Sequence, residues 1–209
     1  MLDHTLIPQG VRLSNSLDGL AEIQQPDCGA AVCARAPSDA FQHWIDTLPP
    51  AQLPKARVIF APRDVLNTVQ DIFAKSSMQS CRHSDQMIQD ITALADQFAK
   101  LTSAKWLRLR LDVVTTNACR KFHIDAVTAR LLCTYRGTGT QLATAKVDAE
   151  PTHVHTVPTG AVTILRGTLW PTKIHTGLRH RSPPIEGSGE TRLVLVLDPL
   201  DAPMEEVCY

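Results

Sequence analysis

The chain has no apolar run long enough to cross a bilayer; the longest, Leu193 to Leu197, is strand-sized. Its first residues, MLDHTLIPQG, carry neither the basic nor the apolar region of a secretory signal, so a cytoplasmic protein without membrane contact is expected. It also lacks a charge excess. Lys and Arg number 21, Asp and Glu number 21, and no basic block or acidic tail stands out, which argues against nucleic acid as a partner. There is no CxxC pair. The six cysteines (Cys28, Cys33, Cys81, Cys119, Cys133 and Cys208) are scattered and read as thiols in a reducing compartment, and the Cys28–Cys33 spacing suits a zinc knuckle poorly. No Gly-rich phosphate loop, nucleophile elbow or zinc-protease motif is present, which removes those classes of catalyst. What remains is 209 residues, 44% hydrophobic, enough for one substantial core, so residues 1–209 are expected to form a single domain.

Periodicity divides the chain. Residues 1–104 read as a mainly helical support region. Ser38 is placed to cap a helix carrying Phe41, Trp44, Ile45 and Leu48, which Pro49-Pro50 stops. A second helix is predicted from Asp64 to Lys75, and a third from near Ser84 with a stripe through Met87, Ile91, Leu94 and Phe98. From about Trp106 the period becomes two. Leu107, Leu109, Leu111 and Val113 alternate with Arg108, Arg110 and Asp112, a strand with one wet face. A strand from about Phe122 to Tyr135 would put His123, Asp125 and Tyr135 on one side and Arg130 on the other. Short strands at Gly160–Gly167 and Thr191–Asp198, with a further element at Gly177–Ser182, complete a β-rich region over residues 105–200. Strands with Gly/Pro turns after helices predict an α+β protein, a β-sandwich or barrel with helical support.

The chemistry concentrates in the run Cys119-Arg-Lys-Phe-His-Ile-Asp125, followed by His180 and Arg192. Two imidazoles and one carboxylate make the facial triad of non-haem Fe(II) oxygenases, and a guanidinium clamps a co-substrate carboxylate with two prongs. His123, Asp125 and His180 are therefore the candidate metal ligands, with Arg192 and Tyr135 as candidate cofactor-binding residues. Cys119 is a further candidate ligand. A turn that brought its thiolate to the metal would favour zinc, whereas on a straight strand it lies roughly 13 Å from His123. The structural alternative is a hydrogen-bonded His123–Asp125 pair with Arg192 in a salt bridge. His153 with His155, and His175, rank behind as metal ligands; His4, His43 and His83 read as surface residues.

The segments CRKFHIDAVTARLLCTYRGTGTQ, VPTGAVTILRG and HRSPPIEGSGETRLVLVLDP resemble the DUF1826 family of bacterial proteins, most clearly from about Leu107 to Pro199. The resemblance implies a cupin-like, double-stranded β-helix (jelly-roll) barrel, with the family's HxD, distal His and Arg falling on His123, Asp125, His180 and Arg192. Its Cys falls on Cys119. Leu142 stands where relatives tend to have Trp, a change in a pocket wall. Members are often encoded beside zinc-responsive genes and GTPase metal chaperones. Two functions are therefore expected to compete: an Fe(II)/2-oxoglutarate-dependent dioxygenase acting on an unknown small molecule or protein, and a Zn(II)-binding accessory protein of metal homeostasis without redox catalysis. Barrels of this type often pair through strand edges, which leaves a homodimer open.

Overall fold

The computed structural model describes residues 7–144, 151–172 and 176–203. His4, His175 and Cys208 lie outside them. Three helices form where the apolar stripes place them: α1 (Asp39–Thr47), α2 (Val65–Lys75) and α3 (Arg82–Thr102). Ser38 caps α1 by accepting the Phe41 amide at 3.3 Å, an interaction that contributes about 1 kcal/mol. Arg136 closes the other end, donating from Nη1 to the carbonyls of Ile45 and Leu48.

Among the described residues ten strands make two sheets. The larger has the order β1 (Val11–Ser14), β2 (Ala30–Cys33), β8 (Val162–Arg166), β5 (Ala129–Arg136), β10 (Arg192–Leu200), β4 (Trp106–Val114) and β3 (Ala56–Phe60). The smaller has the order β7 (His155–Thr156), β6 (Gln141–Thr144) and β9 (Leu178–Arg181). β4, β5, β8 and β10 are the strands the sequence announces. The first half adds three more, β1 to β3, to a region that reads as helix and loop. Each has only four or five residues, and the buried run AAVC of β2 shows no alternation. Among the described residues no helix is long and apolar enough to cross a membrane.

The large sheet separates two cores. On one face Leu107, Leu109, Leu111, Leu131, Leu193, Leu195 and Leu197 pack under the helices with Met87, Ile91, Leu94 and Phe98. On the other, Val32, Leu132, Val194 and Val196 meet Leu142 and Leu178 of the small sheet. The sheets thus face one another across a second apolar layer. The polar residues that alternate with the leucines of β4 point into the same space, so the wet face of this strand lines a cleft.

His83 is half-buried rather than a surface residue. Its ring packs 5.5 Å from Trp44 and 6.2 Å from Phe41. His43 is exposed, as expected.

Candidate metal centre

The predicted strand from Phe122 to Tyr135 is broken. Regular β5 begins only at Ala129, and the HxD segment lies in the connection before it. There the chain makes one antiparallel bridge. The His123 amide donates to the His180 carbonyl at 3.0 Å, and the His180 amide donates back at the same distance. That reciprocal pair fixes both imidazoles side by side, with ring centres 4.4 Å apart. The next turn is pinned by the Thr168 amide on the Asp125 carbonyl and by Gly167. A Cβ on Gly167 would lie 1.9 Å from the Val127 carbonyl oxygen and 2.8 Å from that of Asp125. Gly167→Ala is expected to destabilise the protein by about 1–3 kcal/mol, lower Tm by several degrees and weaken metal binding, because the HxD segment must move. Thermal unfolding with and without metal checks this.

Donor atoms of His123, Asp125 and His180 all lie within 4.8 Å of one another. His123 Nε2 stands 3.3 Å from Asp125 Oδ1, and His180 Nε2 stands 3.1 Å from Asp125 Oδ2. His123 Nδ1 lies 2.8 Å from the Lys121 carbonyl. Donation to that oxygen puts the ring proton on Nδ1 and turns a free Nε2 lone pair into the cluster, the arrangement metal-binding histidines use. Asp125 Oδ2 is buried and lies 2.7 Å from Arg130 Nη1, yet it accepts no hydrogen bond of good geometry. A buried carboxylate set between two imidazoles, each within 3.3 Å of one of its oxygens, is a place for a cation. The donor set fits iron(II).

Electrostatics agree with this reading at Asp125 and His180. Burial alone would raise the Asp125 pKa; contact with His123 and His180 and the charge of Arg130 outweigh it and hold the carboxyl well below its usual range. His180, almost fully buried, is pushed down by desolvation against the pull of Asp125, which keeps it neutral. His123 is shifted up, first by its contact with Asp125.

Arg192 is 1% exposed and lines the same cleft of about 280 Å³. Its Nε donates to the Thr138 carbonyl at 2.6 Å, and among the described residues it forms no salt bridge. Cys119 lies outside the donor group. It is exposed at the cleft, and its carbonyl accepts the Ser182 amide. Cys119, the candidate additional ligand, therefore does not complete a four-ligand zinc site among the described residues, and three donors leave coordination positions open. His153 and His155 do not join the cluster either.

Tyr135 is elsewhere. It points to the helical side of the large sheet, and its hydroxyl donates to Asp90 Oδ2 at 2.6 Å, beside Arg35. The parity argument inverts at β5 because the HxD segment is not in phase with it. The same inversion brings in a residue that the sequence reading set aside. Arg130 faces the metal cluster, with Nη1 on Asp125 and with Nε and Nη2 on Asp198. Asp198, fully buried, also accepts from Arg108 Nη2 at 2.9 Å. The only sequence sign of this network is charge at even positions of otherwise apolar strands.

Solved structures share this architecture. The chain is similar to the dioxygenase for auxin oxidation 1 of Arabidopsis thaliana, solved as a 2-oxoglutarate complex, with a TM-score of 0.54, 10% identity and 96% of each chain covered. It is similar to the dioxygenase for auxin oxidation of rice with a TM-score of 0.50 and 14% identity, over 93% of this chain and 83% of that one. The fold is a double-stranded β-helix. The chain belongs to the family described as "Protein of unknown function (DUF1826)", whose profile matches residues 14–198. No curated protein sequence matches it.

Proposed function

We propose that this protein is a non-haem Fe(II)- and 2-oxoglutarate-dependent oxygenase. The observation that carries the reading is the three-donor cluster of His123, Asp125 and His180, with a buried Arg192 in the same cleft that has no salt-bridge partner among the described residues. Bound there, iron(II) with 2-oxoglutarate supplies the dioxygen activation needed to oxidise a substrate C–H bond. His123 and His180 offer imidazole nitrogens, and Asp125 offers one negative charge. Arg130 holds that carboxylate from behind. Arg192 is the residue to receive the distal carboxylate of the co-substrate, two N–H groups against two oxygens. Leu132, Val194 and Val196 give the cleft an apolar floor.

The test is spectroscopic. Anaerobic protein loaded with Fe(II) is expected to bind one equivalent and, on addition of 2-oxoglutarate, to develop a metal-to-ligand charge-transfer band. The His123→Ala/His180→Ala double variant should show neither. Wild-type protein that binds no iron, or binds it without the band, would defeat the assignment.

A further inference from the structure

A second cavity, of about 390 Å³, lies on the helical side of the large sheet, between α3 and the connection from β2 to α1. It has room for a single substituted ring. The sheet separates it from the metal cluster. Tyr135 in its lining belongs to the core under the helices, whereas Leu132 and Val194 of the metal cleft belong to the core on the other face. A ligand here is out of reach of the iron and is not the compound oxidised.

The charged lining residues are Arg35 and Asp90, one of each sign, with side chains 26% and 25% exposed. They form a two-pronged pair: Arg35 Nη1 donates to Asp90 Oδ1, and Nη2 donates to Oδ2 at 2.7 Å. Arg35 Nε donates to the Gly160 carbonyl at 2.9 Å, and Nη2 also donates to Cys133 Sγ at 3.7 Å. Burial pushes the Cys133 thiol up to about 12, so it adds no charge beside Arg35. Tyr135, kept a phenol by burial, donates to Asp90 Oδ2 at 2.6 Å. The network is neutral as a whole.

A guanidinium has five N–H groups, and each carboxylate oxygen has two lone pairs. The contacts above take four of the five, and the one left is on Nη1. Among the described residues Asp90 Oδ1 accepts only the bond from that same nitrogen, so it keeps a lone pair. A donor and an acceptor, held side by side by their own hydrogen bond, therefore remain unspent. Charged ligands match this pair poorly. An anion on Arg35 meets the charge of Asp90, and a cation on Asp90 meets that of Arg35. A neutral group with an acceptor next to a donor satisfies both at once. A cyclic amide does so in one plane, with its C=O on Nη1 and its N–H on Oδ1. Phe41 and Pro37 supply apolar wall for its ring.

We infer that this cavity is a second ligand site, selective for a flat, neutral cyclic amide of the kind that pyrimidine bases present. The site is independent of the oxygenase reading.

Chemical-shift titration of isotope-labelled, metal-free protein tests it. The probe is 2-pyridone. N-methyl-2-pyridone is the analogue without the donor, benzoate the anion and benzamidine the cation. 2-Pyridone is expected to bind at least about tenfold more tightly than each control, since one hydrogen bond to a buried partner is worth about that factor. Its largest shifts should fall at Arg35, Asp90 and Gly160. Asp90→Asn removes the carboxylate that balances Arg35 and should turn the preference from 2-pyridone to benzoate. Ala36 is exposed, lines the cavity and takes no part in the ion pair, so Ala36→Trp should fill the space and abolish binding without lowering Tm. No binding of 2-pyridone, equal binding of its N-methyl analogue, wild-type affinity in Ala36→Trp or an unaltered preference in Asp90→Asn would each overturn the proposal. Where Asp90→Asn fails to fold, the methyl analogue and Ala36→Trp decide.

Discussion

Asp198→Ala is expected to destabilise the protein by about 3–5 kcal/mol, the cost of leaving buried charges without their partner. Asp198 is 0% exposed at the centre of the large sheet. Its Oδ1 accepts Arg130 Nε at 2.7 Å, and its Oδ2 accepts Arg130 Nη2 and Arg108 Nη2, each at 2.9 Å. Those arginines come from β5 and β4, the two strands that flank β10, so one carboxylate ties three strands together. Without it two guanidiniums face each other with no carboxylate between them. For a chain of this size the loss corresponds to a fall in Tm of about 10 °C. The variant should also bind iron more weakly, because Arg130 is held toward Asp125 from its Asp198 side. Asp198→Asn keeps the shape and one acceptor oxygen, and should fall between wild type and Ala. Thermal and urea unfolding of the metal-free proteins read the stability, and iron titration reads the ligand. An Ala variant with wild-type Tm would show that water, rather than Asp198, satisfies the two arginines.

Much of this site is legible in the chain before it folds. The alternation of Leu107, Leu109 and Leu111 with Arg108 and Arg110 gives β4 and both of its faces correctly, and the order HxD, His180, Arg192 names the residues that meet in the cleft. The failure at Tyr135 and Arg130 has one cause. Odd positions from Val127 to Tyr135 continue the parity of His123 and Asp125, and no Gly or Pro punctuates the join. Only the three-dimensional bridge to His180 breaks the strand and resets its phase. β1, β2 and β3 were illegible for a different reason. Four or five residues are too few for a period, and β2 is buried on both faces, so its run is uniformly apolar.

Arg192→Met is expected to separate stability from function with opposite signs. Arg192 is buried, and desolvation, only partly offset by Glu190, pulls its pKa down to about 10. From an ordinary value of 12.5 that shift represents a penalty of about 3 kcal/mol on the charged folded form at neutral pH. The sign follows from linkage: a base whose folded pKa is depressed destabilises the fold wherever it is protonated, and the penalty fades as pH rises from the folded value toward the unfolded one. Methionine removes the penalty and leaves the Thr138 carbonyl without its donor, a loss of about 1 kcal/mol. The ligand-free variant should therefore be as stable as wild type or more so, by up to about 2 kcal/mol. Its response to 2-oxoglutarate should vanish. At a hundredfold excess over Kd, wild type gains about 2.7 kcal/mol from a ligand that binds only the folded state. The variant, lacking the two-pronged partner for a carboxylate, should lose about 100-fold or more in co-substrate affinity while still taking up iron. Arg192→Lys should not restore it, because a point charge cannot reproduce the planar fork. Thermal unfolding with and without 2-oxoglutarate, in Fe(II)-loaded protein under argon, measures both effects together. A Met variant that still rises in Tm with 2-oxoglutarate as wild type does would move the co-substrate anchor to another arginine of the cleft. A Met variant that is strongly destabilised without ligand would show that Arg192 is a structural cation rather than one kept for a carboxylate.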